Sequence, residues 1–456
     1  INGAAFVQAY DGSSMYKYSA GFARLKYVYN GKYIVSLTGR RDGSSNFGPG
    51  NQFGNFGSAG AGWIFSEEKA IKSGLSFLSF GKLSGSYGTS GSDGVGPYLF
   101  QPFWSPGDSY ISAVQGIHPN FPQNLYNPDY SWALKKSLNL AMDLGFFHDR
   151  LLLNATYYRD REGNQLVGYP LAIQAGFTSV NENLPATIQN SGWEFSFTST
   201  NIKTRSFTWT SNFNISFNRN KLLAFPNLEN SSYSDTYIVG KPTSVVIGYQ
   251  YKGVNPQTGL FEFYTHGGQA TSTPTSGPLS RGGDYVPIGD REVKFMGGFA
   301  NTFTYKHFSL YAFFQFSDQQ APNWIYNIYT FNPPGSTTTN KPVGALDYWK
   351  KPGDHTALQR MSSSYASLAS QAEGNFVSST GAYSNDTYVR LKTLSLSYSL
   401  SDEALKKLHI HQFRIFANAQ NVLTITNYKA GDPETFGDLT SFPLQRIVAF
   451  GLSFNF

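Results

Sequence analysis

The stretch Arg446-Ile-Val-Ala-Phe-Gly-Leu-Ser-Phe-Asn-Phe456, at the end of the chain, decides the fold. Val448, Phe450, Leu452, Phe454 and Phe456 are large and apolar; between them, Ile447 apart, stand Ala449, Gly451, Ser453 and Asn455. Successive residues of a β-strand point to opposite faces, so this segment has one apolar face and one small or polar face. A chain ending in such a strand, with a terminal aromatic, has the pattern of a bacterial outer-membrane β-barrel. Its outer face meets lipid and its inner face a wet or protein-filled lumen. Phe450, Leu452, Phe454 and Phe456 are therefore expected to face lipid, and Ser453 and Asn455 to point inward.

The same alternation recurs upstream. Trp193, Phe195 and Phe197 interleave with Glu194, Ser196 and Thr198, and Phe213, Ile215 and Phe217 with Asn212, Asn214 and Ser216. Phe308, Leu310, Ala312, Phe314 and Phe316 share a face, as do Leu394, Leu396, Tyr398 and Leu400. Period-2 runs of about ten residues match tilted strands crossing a bilayer, whereas strands of a soluble sandwich usually run about five or six. The reading places strands at 16–29, 32–42, 56–65, 76–89, 134–146, 150–160, 190–200, 205–218, 243–254, 258–264, 294–305, 307–317, 386–400, 411–426 and 446–456.

Composition agrees. The 456 residues are 16% aromatic and 14% charged, with 30 Tyr, 38 Phe and no Cys. Aromatic side chains suit β-structure and the girdles where a barrel wall meets the two membrane interfaces. Mean hydropathy is −0.32 and no apolar run is long enough for a transmembrane helix. The absence of Cys removes disulfides, cysteine catalysis and zinc–cysteine sites. A formal charge of +6 is small for this length and describes a mildly basic surface rather than a nucleic-acid site.

Connections of two kinds take turns. Short ones include Asn30-Gly31, a type I′ hairpin signal, then Phe147-His148-Asp149 and Thr200–Thr204; Ser66–Leu75 and Ser401–Ile410 read as single helical turns. Long ones, rich in Gly, Ser, Thr, Pro, Asn and Tyr, lie at 43–55, 90–133, 161–189, 219–242, 265–293, 318–385 and 427–445. Short periplasmic turns alternating with long extracellular loops complete the outer-membrane pattern. The count is about fifteen strands, an odd number, whereas single-chain bacterial barrels have an even one. Open edges in hydrocarbon leave backbone groups unsatisfied at several kcal/mol each. With no signal peptide at Ile1, the expectation is the C-terminal part of a larger barrel.

An ordered set of motifs resembles the C-terminal portion of SusC/RagA-type TonB-dependent outer-membrane transporters. It runs through Leu37-Thr-Gly-Arg-Arg-Asp-Gly-Ser-Ser45, Ala61-Gly-Trp-Ile-Phe-Ser-Glu-Glu68, Gly85-Ser-Tyr-Gly-Thr-Ser-Gly91 and Asn127-Pro-Asp-Tyr-Ser-Trp132. Ser191-Gly-Trp-Glu194, Val239-Gly-Lys-Pro242, Gly298-Phe-Ala-Asn-Thr-Phe-Thr-Tyr-Lys306, Tyr388-Val-Arg-Leu-Lys-Thr-Leu-Ser-Leu396 and Asn418-Ala-Gln-Asn-Val-Leu-Thr-Ile-Thr426 continue it. The resemblance implies a barrel of about 22 strands, with about seven of them, a plug domain and a TonB-contacting segment outside this chain. It further implies active import of an oligomeric nutrient, glycan or peptide, beneath a SusD-like lipoprotein. Outer-membrane lipid and lipopolysaccharide surround such a barrel, and a dimer of transporter–lipoprotein pairs is a possible assembly. The alternative is a scaffold role in a larger surface assembly. Where relatives often carry an acidic loop, this chain has Gly282-Gly-Asp-Tyr-Val-Pro-Ile-Gly-Asp290, too poor in carboxylates for a calcium site.

Chemistry is otherwise sparse. His409 and His411 lack a third ligand and read as part of a turn; Glu67-Glu68, followed by Lys69, reads as a solvated turn. No nucleophile, phosphate-loop or dinucleotide motif is present. The expectation is no enzyme, no metal and no cofactor. Aromatic residues crowd two long loops: Tyr98, Phe103, Trp104 and Tyr110 in 90–133, and Trp324, Tyr326, Tyr329 and Trp349 in 318–385. Exposed Tyr and Trp suit sugar stacking or a protein partner, so these eight are the candidate extracellular contacts; loop packing is the competing role.

Overall fold

A computed structural model describes residues 13–106, 115, 117, 120–331, 333–408, 410–435 and 442–455. Its wall is one antiparallel sheet of thirteen strands, each paired with its sequence neighbour in the wall. They are β1 (Tyr18–Tyr29), β2 (Tyr33–Ser44), β3 (Phe53–Trp63), β4 (Leu78–Ser92), β5 (Ala133–Phe146), β6 (Leu151–Pro170) and β7 (Ser179–Lys203). Then follow β8 (Phe207–Ala224), β9 (Phe295–Tyr305), β10 (Phe308–Asp318), β11 (Tyr388–Ser399), β12 (Gln412–Thr426) and β13 (Ile447–Asn455). Among the described residues β1 pairs only with β2 and β13 only with β12, so the two outer edges do not meet.

Register turns the sequence alternation into two continuous faces. Tyr27, Val35, Ala61, Gly85, Leu140, Tyr157, Trp193 and Phe217 are successive cross-strand partners from β1 to β8. Phe303, Leu310, Leu396, Ala417 and Phe450 continue the apolar pattern from β9 to β13. The opposite face carries Arg24, Thr38, Ser58, Gly88, Ser137, Asp160, Asn190 and Asn220 in another such row. A one-residue slip anywhere would exchange the faces, so the pattern fixes the pairing. Phe450 is 81% exposed, and Leu452 and Phe454 are exposed on the same face. Ser453 and Asn455 lie on the other, paired with Arg414 and Gln412. Phe456 lies outside the described residues.

Short turns gather at one end. Asn30 and Gly31 both have positive φ (49° and 69°), the requirement of a type I′ turn. Phe147, His148 and Asp149 are likewise left-handed. Helices α1 (Lys69–Gly74) and α4 (Asp402–Leu408) fill the two longer turns at that end.

Two corrections concern the wall. The segments expected as strands at 243–254 and 258–264 do not join it. They form short strands Val245–Gly248, Gln250–Val254 and Phe261–Tyr264 at the opposite, extracellular end. At four or five residues each they are too short to cross a bilayer, which takes about nine to eleven. Their alternation instead buries Phe261 and Phe263 in a local core. Among the described residues the wall therefore has thirteen strands rather than fifteen; removing two keeps the count odd. In addition, 161–189 is not a loop, because β6 and β7 run on through 20 and 25 residues and stand above the rest of the wall.

Candidate extracellular recognition surface

Two long connections, 225–294 and 319–387, meet at the extracellular end and fold together. The first contributes Tyr249, Phe261 and Phe263 and the second Ile328, Tyr329, Leu358, Ala372 and Phe376, all buried in one hydrophobic core. Phe261 stacks on Phe376 with centroids 4.5 Å apart, and Tyr251 meets Phe376 edge-on at 5.1 Å. Helices α2 (Trp324–Phe331) and α3 (Leu368–Val377) come from the second connection; α3 is capped by the Ser367 hydroxyl accepting from Ser370 N.

Backbone polar groups are satisfied across the seam. Tyr249 N donates to Ser378 O at 2.8 Å and Arg360 N to Gly259 O at 2.8 Å. Phe261 N donates to Oε1 of Gln359, a residue 1% exposed, whose Nε2 donates to Ala369 O and to Glu373 Oε1. Burial pushes the Glu373 carboxyl up to about 7, against the lowering effect of the Gln359 hydrogen bond. The phenols of Tyr251 and Tyr329 are pushed far up by the same burial.

A second cluster ties the last extracellular connection to the wall. Arg390 of β11 is 2% exposed, and its Nη2 lies 2.6 Å from Asp432 Oδ1. Its Nη1 lies 3.1 Å from Glu434 Oε1, and Lys392 Nζ reaches Glu434 Oε2 at 2.6 Å. Burial alone would raise the Asp432 carboxyl, but Arg390 and the N–H groups of Glu434 and Leu444 hold it below its usual range. Beside it Asp386 is fully buried and accepts from Gln319 Nε2 at 2.9 Å, and burial raises it to about 6.

The eight candidate contacts separate by environment. Phe103 and Trp104 are exposed at 42% and 61%, and the short strand Trp104–Pro106 pairs with Asn120–Pro122. The Tyr98 ring lies 6.5 Å from Phe103, and its hydroxyl bonds both N and O of Met15. Tyr110 lies outside the described residues. In the other loop, Tyr329 is 6% exposed and meets Phe261 at 5.1 Å, so its ring belongs to the core and presents no contact surface. Trp349 covers Gly259, whose φ of +69° and lack of Cβ let the indole approach, and its N–H donates to Pro256 O at 2.9 Å. Trp324 and Tyr326 are half-buried against the same core. Phe331, one of the aromatics crowding this loop in the sequence, is exposed; sequence reading missed the other exposed apolar residues, Val343, Leu346, Met361, Tyr365 and Leu368, whose only signal was apolar character inside a Ser-rich loop.

Other expected positions are accounted for. Glu67 pairs with Lys72, and Glu68 accepts from Lys32, Tyr33 and Trp63 in the short-turn end. His409 is outside the described residues, and His411 N donates to Asn455 O. Asp284 caps the N–H groups of His266 and Thr275, while Asp290 accepts from Ser244. Among the described residues no three His, Cys, Asp or Glu side chains come together as a metal cluster.

A barrel wall with an apolar outer face, short turns at one end and a folded loop body at the other defines an outer-membrane β-barrel protein. The family model described as TonB dependent receptor-like, beta-barrel matches residues 1–293, and the chain belongs to that family. TonB-dependent receptor P3 of Formosa agariphila is 30% identical over 95% of this chain and 45% of its own length. TonB-dependent receptor SusC of Bacteroides thetaiotaomicron is 25% identical over 95% of this chain and 43% of its own length. A solved RagAB peptide importer in its closed-closed state superposes with a TM-score of 0.83 at 24% identity, covering 97% of this chain and 48% of that one. The chain thus spans about half the length of the relatives it matches.

Proposed function

We propose that the whole protein imports an oligomeric nutrient across the outer membrane, powered through TonB, with a SusD-like lipoprotein at its extracellular face. The wall then acts as a lipid-facing sleeve: Phe450, Leu452 and Phe454 stand against hydrocarbon, and the polar face lines the passage. The observation that carries the reading is the folded body above the wall. Its core holds two long loops in one place, and on the separate 90–133 loop Phe103 and Trp104 stay exposed. Fixed aromatic rings at an entrance suit stacking on sugars or gripping an extended peptide. Tyr98 is proposed to brace Phe103, while Trp324, Tyr326 and Trp349 support the surface from beneath. Import needs no covalent step, and none is assigned.

The test uses the full-length protein. Phe103→Ala with Trp104→Ala is expected to reduce nutrient uptake about tenfold, the size of a contact hot spot. Leu346→Glu with Tyr365→Glu is expected to loosen lipoprotein co-purification. Glycan and peptide mixtures supplied separately identify the cargo. Unchanged uptake and unchanged co-purification in both variants sink the import reading. A wild-type protein that assembles with its lipoprotein yet supports no uptake favours the scaffold role.

A further inference from the structure

One carboxylate at the joint between the last extracellular connection and the wall has an incomplete set of partners. Asp386 stands just before β11 and just after a short strand, Tyr383–Asn385, that pairs with Gln320–Pro322. Its side chain is fully buried. Oδ2 accepts from Gln319 Nε2 at 2.9 Å, whereas Oδ1 meets no hydrogen-bond donor among the described residues. Ser317 Oγ donates to Gln319 Oε1 at 3.1 Å and so orients the amide. A buried carboxylate is tolerated when a cation and several donors offset its lost hydration, and otherwise it holds a proton.

The cations of the cluster are already engaged. Arg390 and Lys392 of β11 are taken by Asp432 and Glu434 of the segment 426–435. Lys294 lies 3.9 Å from Asp318 at the end of β10, and Asp318 accepts from the Thr387 hydroxyl. Arg291 acts on the Tyr383 phenol. The phenols of Tyr388 and Tyr428 lie within the field of Asp386 and carry no charge at neutral pH. Asp432 is left as the negative charge beside Asp386.

The same cluster holds the segment 426–435 in place. Register puts Arg390 opposite Gln315, on the inward face away from Phe314 and Phe316. Asp432 Oδ1 accepts from Arg390 Nη2 at 2.6 Å, and Pro433 O accepts from Gln319 Nε2 at 3.3 Å. The Thr426 hydroxyl donates to Thr387 O at 2.8 Å, and the Tyr428 hydroxyl donates to Pro322 O. The Gln319 amide therefore ties Asp386 directly to this arm.

We infer that Asp386 is a proton-operated latch: protonated, it keeps the arm 426–435 seated on the inward rim of the wall, and ionised, it sets a second negative charge beside Asp432 and loosens the arm. The inference rests on the joint alone and is independent of the import reading. Burial, opposed by the Gln319 hydrogen bond and reinforced by Asp432, raises the Asp386 carboxyl from 3.8 to about 6. The seated arm thus binds the proton more tightly than the open one. Its hold is full below about 3.8 and is lost as pH rises through about 6.

Hydrogen exchange of the full-length protein in lipid vesicles, corrected for the intrinsic pH dependence of exchange, reads the arm directly. The amides of Glu434 and Thr435, which donate to Asp432, are expected to lose about tenfold in protection between pH 5 and 7. Asp386→Asn keeps an oxygen for Gln319 without a charge and should hold protection at its pH 5 level throughout. Should Asp386→Asn not assemble, Asp386→Ser, also uncharged, replaces it with the same expected outcome. Glu373→Gln removes the titrating carboxyl of the loop body and should leave the arm's loss unchanged. Level protection in wild type overturns the inference. So does a loss that persists without the Asp386 carboxyl or disappears in Glu373→Gln, since the titrating group would then lie elsewhere.

Discussion

The wall and the extracellular body use the same aromatic residues in opposite ways. Phe450 on the wall is 81% exposed, whereas Phe261, Phe263 and Phe376 in the body are fully buried. Phe261 and Phe263 alternate with polar residues in extended chain just as Phe450 does, so the difference lies in what surrounds them. Against lipid, an apolar side chain is already in its preferred medium and removing it exposes nothing to water. Above the membrane the same side chain must find protein, and two loops far apart in sequence fold together to supply it.

The largest effect that would break this comparison is a truncation in the body. Phe376→Ala should destabilise the loop assembly by about 3–5 kcal/mol, read as faster protease cleavage within 225–294 and 319–387. Leu396→Ala on the wall should change stability in lipid by no more than about 1 kcal/mol. Equal effects would mean that the two regions are not differently solvated.

Arg390 sits where the regions join. Arg390→Ala leaves Asp432 buried without its cation and should cost about 3–4 kcal/mol. The last extracellular connection should then become protease-sensitive while wall strands keep their hydrogen-exchange protection. Wall-wide loss of protection would show that the pair holds the sheet rather than the loop.

Depth sharpens the contrast further. Phe450 lies mid-strand in β13, so Phe450→Arg should cost roughly 2–4 kcal/mol on folding into vesicles, whereas Phe454→Arg, beside the strand end, should cost about 0–1. A reversed order would move the membrane midplane.

A separate test concerns pH. The folded body holds the Glu373 proton more tightly than an unfolded chain does, with a carboxyl at about 7 against 4.5. More protons are bound when folded, so stability falls as pH rises from about 4.5 to about 7 and is flat above that. Glu373→Gln should remove this slope, a gain of roughly 3 kcal/mol at high pH. A variant with the wild-type slope would place the titration elsewhere, with Asp386, raised to about 6, the next group to test.

Much of the wall was legible because lipid imposes a period of two on every strand that crosses it. The same period misled at 243–264, since a short sheet over a local core alternates just as strictly and sequence does not say which medium lies outside. Where β6 and β7 rise past Arg159 and Ser191, Leu184 and Ala186 pack against Leu222 and Phe225, and the other side is polar. Asp160, Arg161, Glu162 and Asn164 follow one another without alternation, so strands read as loop. The loop aromatics were visible as a cluster, but their division into buried Tyr329 and exposed Trp104 depends on partners far away in sequence. The Arg390–Asp432 pair spans 42 residues and leaves no spacing signature.

The seam between the two long loops has a thermodynamic consequence. Because Phe261, Tyr329 and Phe376 already hold the body together before anything arrives, contact there need not order a chain. Binding at this surface should therefore carry a small negative heat-capacity change set by the contact area alone, rather than the large one that accompanies coupled folding. Its association rate should likewise depend little on temperature beyond the viscosity of water, because no slow structural search precedes the encounter.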